Sequence, residues 1–341
     1  MRTPPLSRIG FAALLAVTML TMSCQLRLQP LAGSVEAAVD DAIDRGFDGI
    51  IVHIDQPGGS RFYSAGWDDR RAKVPADPHR LFKIASISKL YVAAATTMLV
   101  ADGDLSLDAT LAKLVPEVVG EIDNAEAITL RMLLQHRSGI PDYIFRSDFT
   151  NDPEDTYLDT ASLLYGQPAN FEPGARYGYS NSNYLLIGEI LDRTLEYSHH
   201  AYVASEILEP LALNDTYSLL SEVDPDDVMS GYVVGYGPDV KTEEDHTRPG
   251  GSMVATAEDV GRFVRALVDG SLLTPEEQAI YDEVYEYEHT GWVNGYTSIV
   301  RYHPDIDAVV VQFVNTSYDG LFWIELERVY GRIVDTLERE Q

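Results

Sequence analysis

Residues 82–103, FKIASISKLYVAAATTMLVADG, contain the pattern on which the interpretation of this chain depends. After Ser86 the sequence is almost continuously apolar up to a closing glycine, which predicts a long buried helix. Because Lys89 follows Ser86 by three residues, the two side chains would lie on one helix face about one turn apart. A lysine whose pKa is lowered by burial can accept the proton of a serine hydroxyl. The pair therefore suggests an activated serine nucleophile, but it is weak on its own, because chance yields about 0.3 such pairs in a chain of this composition.

The segments on either side of this helix predict a sheet whose strands come from both ends of the chain. Residues 47–67 contain two strand-like runs around a Pro-Gly turn, and residues 291–317 contain a second strand pair around the turn HPDID. Amphipathic helices are predicted at residues 31–45 and 321–340. The expected fold is α/β in the sense of α+β: an antiparallel sheet flanked by N- and C-terminal helices, with a helical domain inserted at about residues 86–250.

Two further stretches become informative when they are combined with the first. Residues 179–181, Tyr-Ser-Asn, precede a predicted helix, where a phenol and a carboxamide could project into a cleft between the sheet and the helical domain. Residues 289–291, His-Thr-Gly, open a predicted strand near the C-terminus. Taken alone, the first would be a capping turn with a core tyrosine and the second an ordinary strand start.

Together and in this order, the three stretches resemble the motifs of the serine penicillin-recognising enzymes, which include class C β-lactamases, D-alanyl-D-alanine carboxypeptidases and related esterases. The family signature is S-x-x-K, a polar triad and K-T-G; in the class C and carboxypeptidase branch the triad is Tyr-x-Asn. LLQHRSGIPDY at residues 133–143 and PGGSMVATAEDVGRF at residues 249–263 resemble further segments of the family. The resemblance runs from about Val35 to the end of the chain and implies a β-lactamase/transpeptidase-like fold.

The resemblance also implies roles for the residues of the first two motifs. Ser86 would be the nucleophile that forms an acyl-enzyme, and Lys89 would take its proton or keep the site electrostatically ready for that step. Tyr179 would pass a proton to the leaving group and later activate water. Which of Lys89 and Tyr179 is the acylation base stays open at this point. Asn181 would hold the substrate amide and orient Lys89.

The third motif would supply the remaining contacts. The backbone N–H groups of Ser86 and Trp292 would form the oxyanion hole, and His289, Thr290 and Gly291 would bind substrate. Most β-lactamases have lysine at the position of His289, whereas some carboxypeptidases of this family have histidine. An unperturbed histidine titrates near pH ~6.5, so we expect His289 to offer a cation to a substrate carboxylate only on the acidic side of neutrality.

The implied activity is that of a serine hydrolase acting on an amide or ester bond, most like a D-alanyl-D-alanine carboxypeptidase or a related peptidase or esterase. A β-lactamase is the alternative among enzymes, and a cell-wall-binding protein without turnover is the alternative from another class. The expected partner is a small-molecule or peptide substrate with an acyl group. No cofactor is expected, and no metal, because H-E-x-x-H and paired-cysteine patterns are missing from the sequence. The adjacent His199 and His200 are interpreted as a solvated helix face.

The composition restricts the partners further. The 341 residues carry a formal net charge of -29, which would repel nucleic-acid phosphates and anionic lipid headgroups. We therefore expect no nucleic-acid partner. The same acidity suits a protein that must stay hydrated in high salt.

The N-terminus predicts export. Arg2 and Arg8 precede an apolar stretch over residues 9–22, as in a signal peptide, and Cys24 follows in a sequence that resembles the lipobox of bacterial lipoproteins. Residues 1–24 are therefore predicted to be a signal peptide and residues 31–341 the hydrolase domain. The expected location is secreted or extracytoplasmic, with a membrane tether if Cys24 is lipidated. Because Cys24 is the only cysteine, no internal disulfide is expected.

Overall fold

The structure is a computed structural model that describes residues 32–340, apart from residues 151, 153, 154, 243, 244 and 319. The predicted signal peptide and Cys24 lie outside the described residues, so export and lipidation stay predictions. Within the described part of the chain, no helix is both long enough and apolar enough to cross a membrane.

The described chain combines helices with mainly antiparallel strands, as predicted. The strands are β1 Gly49–Gln56, β2 Gly59–Asp69, β3 Val74–Pro75, β4 Phe82–Lys83, β5 Thr216–Tyr217, β6 Tyr232–Val233, β7 Val254–Ala255, β8 Glu288–Val293, β9 Tyr296–His303, β10 Ala308–Val314 and β11 Thr316–Ser317. The α-helices are α1 Val35–Asp40, α2 Ser88–Ala101, α3 Leu111–Leu114, α4 Leu130–Leu134, α5 Tyr157–Ser162, α6 Asn181–Leu195, α7 His199–Val203, α8 Ala257–Asp269, α9 Pro275–Val284 and α10 Gly320–Glu340.

The main sheet joins the two ends of the chain. Its strand order is β3-β2-β1-β10-β9-β8, and the pairing of β1 with β10 is antiparallel, with Ile50 opposite Val314. The predicted hairpin around Pro57 and Gly58 is confirmed as β1 and β2. Every strand pair of this sheet is antiparallel. The sheet therefore brings the N-terminal and C-terminal segments into one unit, as the pattern of strands predicted.

One predicted strand is in fact two. Residues 291–302 were expected to form a single strand, but the structure has a turn at Asn294 and Gly295, which separates β8 from β9. Gly295 has a φ of +82°, the left-handed conformation that this kind of tight hairpin turn requires. The His-Thr-Gly motif consequently lies on an additional strand, β8, at the edge of the sheet.

Helices cover both faces of the sheet. Along β1, Ile50, Val52 and Ile54 belong to the same apolar cluster as residues of α1 and α10, whereas Ile51 belongs to the larger cluster with α2 and α8. This alternation is the two-residue period of a strand buried on both faces. The terminal helices therefore close one face, and α8 packs on the other, where His53 lies against Gly261.

The central helix is the predicted one. α2 begins at Ser88, directly after a 3-10 turn at Ala85–Ile87, and all but two of its fourteen residues are buried. The first predicted helix is shorter than expected, since α1 ends at Asp40 and a 3-10 turn follows at Ile43–Arg45. The boundaries of a helical insertion at about residues 86–250 stay a prediction, although α2 to α7 all fall in that range.

Candidate active site

The backbone that carries Ser86 has an unusual conformation. Ala85 has a φ of +50°, which is uncommon for a residue with a Cβ atom. The Ser88 hydroxyl donates to the Ala85 carbonyl over 2.6 Å and accepts from the Met253 N–H over 3.2 Å. These two bonds fix the turn at the start of α2, and a strained backbone held in this way is a common property of functional sites.

The three residues predicted to carry the chemistry lie together. The Lys89 Nζ atom is 3.1 Å from the Ser86 Oγ atom, and the Tyr179 hydroxyl is 3.0 Å from the same oxygen. Tyr179 comes from the segment before α6, more than ninety residues away in the chain. The Ser86 hydroxyl is therefore within hydrogen-bonding distance of two groups that can exchange protons with it.

The surroundings of Lys89 favour its neutral form. The side chain is 1% exposed, and this burial lowers the pKa of Lys89 to about 7, against an opposing effect of the Asp142 carboxylate. Lys89 Nζ donates to the Gly250 carbonyl over 2.7 Å and to Asn181 Oδ1 over 2.9 Å. A neutral amine has two N–H donors and one lone pair, so these two acceptors use both donors and leave the lone pair for the Ser86 hydroxyl.

Asp142 is a residue of the site that sequence reasoning missed. Its carboxylate accepts from the backbone N–H of Asn181 over 3.0 Å and from Asn181 Nδ2 over 2.9 Å. Because the Asn181 amide donates to Asp142, its oxygen is turned toward Lys89. Burial raises the pKa of Asp142, while the hydrogen bonds from Asn181 and Ile144 act in the opposite direction. The only local signal was an aspartate before a 3-10 turn, which is ordinary capping chemistry.

Gly250 is a second contributor that the sequence did not reveal. Its φ is +75°, and a Cβ atom there would lie 2.8 Å from Cγ of Lys89 and 3.0 Å from Cβ of Tyr184. A side chain at this position would displace the lysine. The glycine in the PGGSM segment therefore allows the backbone carbonyl to approach Lys89.

Tyr179 lies at the border between the buried network and the cleft. The residue is 39% exposed, yet desolvation raises the pKa of its phenol well above the usual value, so the hydroxyl keeps its proton at neutral pH. Its ring stacks on His136, with centroids 4.4 Å apart. His136 Nδ1 accepts from the Ser180 N–H and lies 3.0 Å from Asn183 Nδ2, and burial lowers the pKa of His136 to about 2. His136 is therefore a neutral support for the segment that carries Tyr179.

The third motif lies beside the nucleophile on β8. A Cβ atom on Gly291 would be 2.3 Å from the Ile84 carbonyl oxygen and 2.2 Å from Ser298 Oγ, so only glycine lets β8 approach the segment before Ser86 this closely. In a hairpin with a two-residue turn, hydrogen-bonded and non-hydrogen-bonded pairs alternate from the turn outward. Trp292, opposite Thr297, is at a non-hydrogen-bonded position. Its N–H is therefore not used within the sheet, which suits the predicted oxyanion hole.

His289 differs from the expectation based on its unperturbed pKa. Desolvation, with a further effect of Lys89, lowers the pKa of His289 to about 3. The expectation that His289 becomes a cation just below neutrality is therefore wrong: desolvation of the half-buried ring next to another basic group disfavours the charged imidazole. Nδ1 lies 2.5 Å from the Thr290 carbonyl, which makes it the protonated nitrogen and leaves Nε2 as a hydrogen-bond acceptor.

The interpretation of the adjacent His199 and His200 as a solvated helix face is wrong for His199. His199 is 1% exposed, and its Nδ1 lies 2.6 Å from Asp192 Oδ1, so it is a buried partner of α6 and not part of a solvated face. Within the part of the chain that the structure describes, no group of three or more His, Cys, Asp or Glu residues is arranged to hold a metal ion.

Comparisons with known proteins identify the family to which the chain belongs. The family model described as Beta-lactamase matches residues 34–284. Protein flp of Staphylococcus aureus (strain N315) is 28% identical over 204 residues, which are 59% of this chain and 41% of flp. Penicillin-binding protein 4* of Bacillus subtilis (strain 168) is 27% identical over 203 residues, 58% of this chain and 43% of that protein. The matched part of the chain thus spans about two fifths of the length of these curated relatives.

The fold is shared with solved structures as well. D-amino acid amidase from Ochrobactrum anthropi SV3, complexed with L-phenylalanine amide, has a TM-score of 0.80 and 23% sequence identity. The alignment covers 90% of this chain and 98% of the amidase. At this level of identity the likeness concerns the fold, and the predicted β-lactamase/transpeptidase-like fold is confirmed.

Proposed function

Because the chain belongs to the Beta-lactamase family of serine hydrolases, we propose that it cleaves amide or ester bonds through an acyl-enzyme on Ser86, as an amidase, peptidase or esterase. The observation that carries this proposal is the position of Ser86 Oγ, 3.1 Å from the Lys89 amine and 3.0 Å from the Tyr179 hydroxyl. A nucleophile with both a base and an acid in contact has what acyl transfer requires.

The pKa directions support a division of labour in acylation. Lys89, whose pKa is about 7, is neutral in a large fraction of molecules at neutral pH and can take the Ser86 proton. Tyr179, whose pKa is raised, stays protonated and can donate to the departing nitrogen or oxygen. We therefore assign Lys89 as the acylation base and Tyr179 as the acid, a choice that the sequence left open. After the leaving group departs, the Tyr179 phenolate can take a proton from the water that attacks the acyl-enzyme.

The carbonyl oxygen of the substrate would be held by backbone donors. The N–H of Trp292 is not used within the sheet, and that of Ser86 belongs to the turn before α2. Each donor of an oxyanion hole typically contributes ~3 kcal/mol to transition-state stabilisation. These two N–H groups would therefore account for a large part of the rate enhancement.

The neutral state of His289 weighs against two narrower activities. A penicillin and a peptide with a free C-terminus both present a carboxylate, for which a cation is the natural partner. Since burial keeps the pKa of His289 near 3, its imidazole does not supply that cation at neutral pH. This favours amides and esters that lack a carboxylate over penicillins and peptides that end in D-alanyl-D-alanine. A binding protein without turnover would have no use for a buried lysine whose pKa is lowered to about 7 beside a serine hydroxyl.

Intact-protein mass spectrometry with a neutral fluorophosphonate tests the nucleophile. We expect one adduct, located on Ser86, and none in the Ser86→Ala protein at the same melting temperature, because the change is small and precedes the helix. Turnover is then measured on acyl esters, amino acid amides and penicillins. An adduct elsewhere, or unchanged ester hydrolysis by Ser86→Ala, would contradict the proposed function. Rapid release of hydrolysed penicillin would favour the β-lactamase alternative instead.

A further inference from the structure

A large cavity is lined by His136 and His289, whose rings both neighbour the ring of Tyr179. Its volume is about 770 Å³, and its walls come from residues 134–137 and 282–286 with Tyr177, Glu288 and His289. Both rings lie close to the catalytic tyrosine: the His136 ring stacks on the Tyr179 ring with centroids 4.4 Å apart, and the His289 ring is 6.2 Å away, centroid to centroid. The cavity is therefore one aromatic ring away from the reacting atoms, within reach of a group attached to a bound substrate.

The wall formed by residues 282–288 is acidic. Four carboxylates line the cavity against a single guanidinium, that of Arg137. The Arg137 guanidinium donates to the Gly174 carbonyl over 2.6 Å. Two of the carboxylates have arginine partners outside the cavity lining: Glu283 is 2.6 Å from Arg131, and Glu288 is 3.7 Å from Arg301. The other two carboxylates, against the one positive charge of Arg137, decide the net charge of the cavity.

Glu286 and Asp282 are not neutralised. Glu286 is exposed, and its carboxylate has no ion pair with any described residue. Asp282 accepts from the Tyr287 hydroxyl, a neutral donor, which leaves its charge uncompensated. Desolvation raises the pKa of Tyr177, which lines the same cavity, and the negative charge of Glu286 raises it further. The cavity therefore presents a net negative charge.

The two imidazoles at the inner end of the cavity add directional contacts. His136 is 3% exposed, and its Nε2 atom has no partner among the described residues. Because Nδ1 of His136 accepts from the start of α6, the hydrogen is on Nε2, at the edge of the ring away from that helix. His289, in contrast, presents Nε2 as an acceptor. The accessible partner at the inner end is therefore His289 Nε2, an acceptor that matches an amino group, whereas His136 Nε2 is buried.

We propose that this cavity binds a primary ammonium group of the substrate, with Glu286 and Asp282 as its counter-charges and His289 Nε2 as a hydrogen-bond acceptor. The inference rests on the proposed function and specifies its substrate class: amides and esters that carry a free amino group. Carboxylate-bearing substrates are disfavoured by the same charges. The ammonium could be the α-amino group of the acyl part, a side-chain amine, or an amine on the leaving group, and the choice of substrates separates these three.

The test compares matched substrates at pH 7. They are the D- and L-alanine p-nitroanilides, their N-acetyl and N-succinyl derivatives, Nα-acetyl-lysine p-nitroanilide, and acetate esters of an amino alcohol and of its uncharged analogue. We expect a free amine to raise kcat/KM about tenfold over the N-acetyl compound, and the N-succinyl compound to be the poorest. The substrate pair in which the free amine raises kcat/KM shows where on the substrate the recognised ammonium group lies.

Variants connect the preference to the cavity. In Glu286→Gln the ratio of kcat/KM between the amine and the acetylated substrate should fall about fivefold, and in the double variant Glu286→Gln, Asp282→Asn it should approach one. Glu209→Gln, which removes an exposed carboxylate that does not line the cavity, is the matched control and should keep the ratio of the unmodified protein. Equal effects of Glu286→Gln and Glu209→Gln would overturn the assignment.

The failure of this inference can be distinguished from the failure of the proposed function. Labelling of Ser86 by the neutral fluorophosphonate with no preference for amines in any arm would overturn the inference and leave the function intact. If Ser86 is not labelled and no substrate turns over, the proposed function fails. Recognition is then decided by calorimetric titration of the Ser86→Ala protein with alaninamide and with N-acetylalaninamide. Tighter binding of alaninamide supports the inference, and equal binding refutes it.

Discussion

The two sides of Tyr179 contrast in how their polar groups are satisfied. On the inner side, the buried Lys89 and the half-buried Asn181 belong to a network in which each side-chain polar atom has a protein partner within 3.1 Å. On the outer side, Glu286 and Asp282 face the cavity with their charges uncompensated. The difference indicates that proton transfer and substrate selection depend on different groups in this molecule. The desolvated side tunes proton transfer, and the solvated side attracts or repels a substrate.

Removal of the base should produce the largest effect on the inner side. In Lys89→Met the buried shape is kept but the lone pair is lost, so we expect kcat/KM to fall by about 10³-fold or more. Lys83→Met is the control, because Lys83 is also a buried lysine and lies on β4, just before the turn that carries Ser86. That control should stay within about tenfold of the unmodified protein. Comparable losses in both variants would mean that the effect comes from packing.

Removal of the Asp142 charge should produce an intermediate effect with a diagnostic pH profile. The Asp142 carboxylate raises the pKa of Lys89, so Asp142→Asn should lower that pKa below about 7 and move the acidic limb of kcat/KM to lower pH. We expect the maximal rate to drop roughly tenfold or more as well, because an asparagine has one acceptor oxygen where the carboxylate uses two, so either Asn181 or Ile144 loses its acceptor.

The matched control for this prediction is another buried carboxylate. Asp259 is 3% exposed, burial raises its pKa, and it accepts from the Asp215 N–H and the Thr216 hydroxyl. Asp259→Asn should lower the melting temperature without moving the acidic limb. If the acidic limb of the pH profile of kcat/KM does not move in Asp142→Asn, Asp142 does not influence the pKa of Lys89.

On the outer side, His289 should behave as a neutral residue throughout the physiological range. Because its pKa is about 3, the ratio of kcat/KM between neutral and carboxylate substrates should not change between about pH 5 and pH 8. His289→Lys would place a cation at the inner end of the cavity and should raise kcat/KM for carboxylate substrates about fivefold. A ratio that follows a titration near pH ~6.5 would restore the expectation based on the unperturbed histidine.

The sequence predicts the local contacts of the site and misses those between residues distant in the chain. Ser86 and Lys89 lie one helical turn apart, so their contact follows from local geometry, and the resemblance to the family assigned Tyr179 and Asn181. Gly250, in contrast, reaches Lys89 across 161 positions of the chain, and no local rule predicts such a contact. Asp142 carried only the signal of a turn cap.

The charge states could not be predicted for a related reason. The pKa of His289 depends on burial and on the nearby Lys89, both of which exist only in the folded chain. The burial of His199 was missed because its partner Asp192 lies on the preceding helix, across the turn that joins α6 and α7. In the sequence alone, this run of polar residues resembles a solvated face. The Asn294-Gly295 turn is different, because its sequence signal was present and was overlooked.

The smallest expected effect is a dependence on salt that differs between the two sides of Tyr179. The screening length falls from about 10 Å at 0.1 M salt to about 3 Å at 1 M, and it acts on exposed charges far more than on buried ones. The kcat/KM for an ammonium substrate should therefore fall about threefold over this range, since Glu286 is exposed. The rate at which a neutral fluorophosphonate labels Ser86 should not change with salt, because the Lys89 side chain is shielded from solvent. The net charge of -29 alone would also attract cations, so the Glu286→Gln protein is the control. It changes the net charge by only one unit, yet it should lose most of the salt dependence. A salt dependence that is equal in both proteins would assign the attraction to the whole surface and not to the cavity.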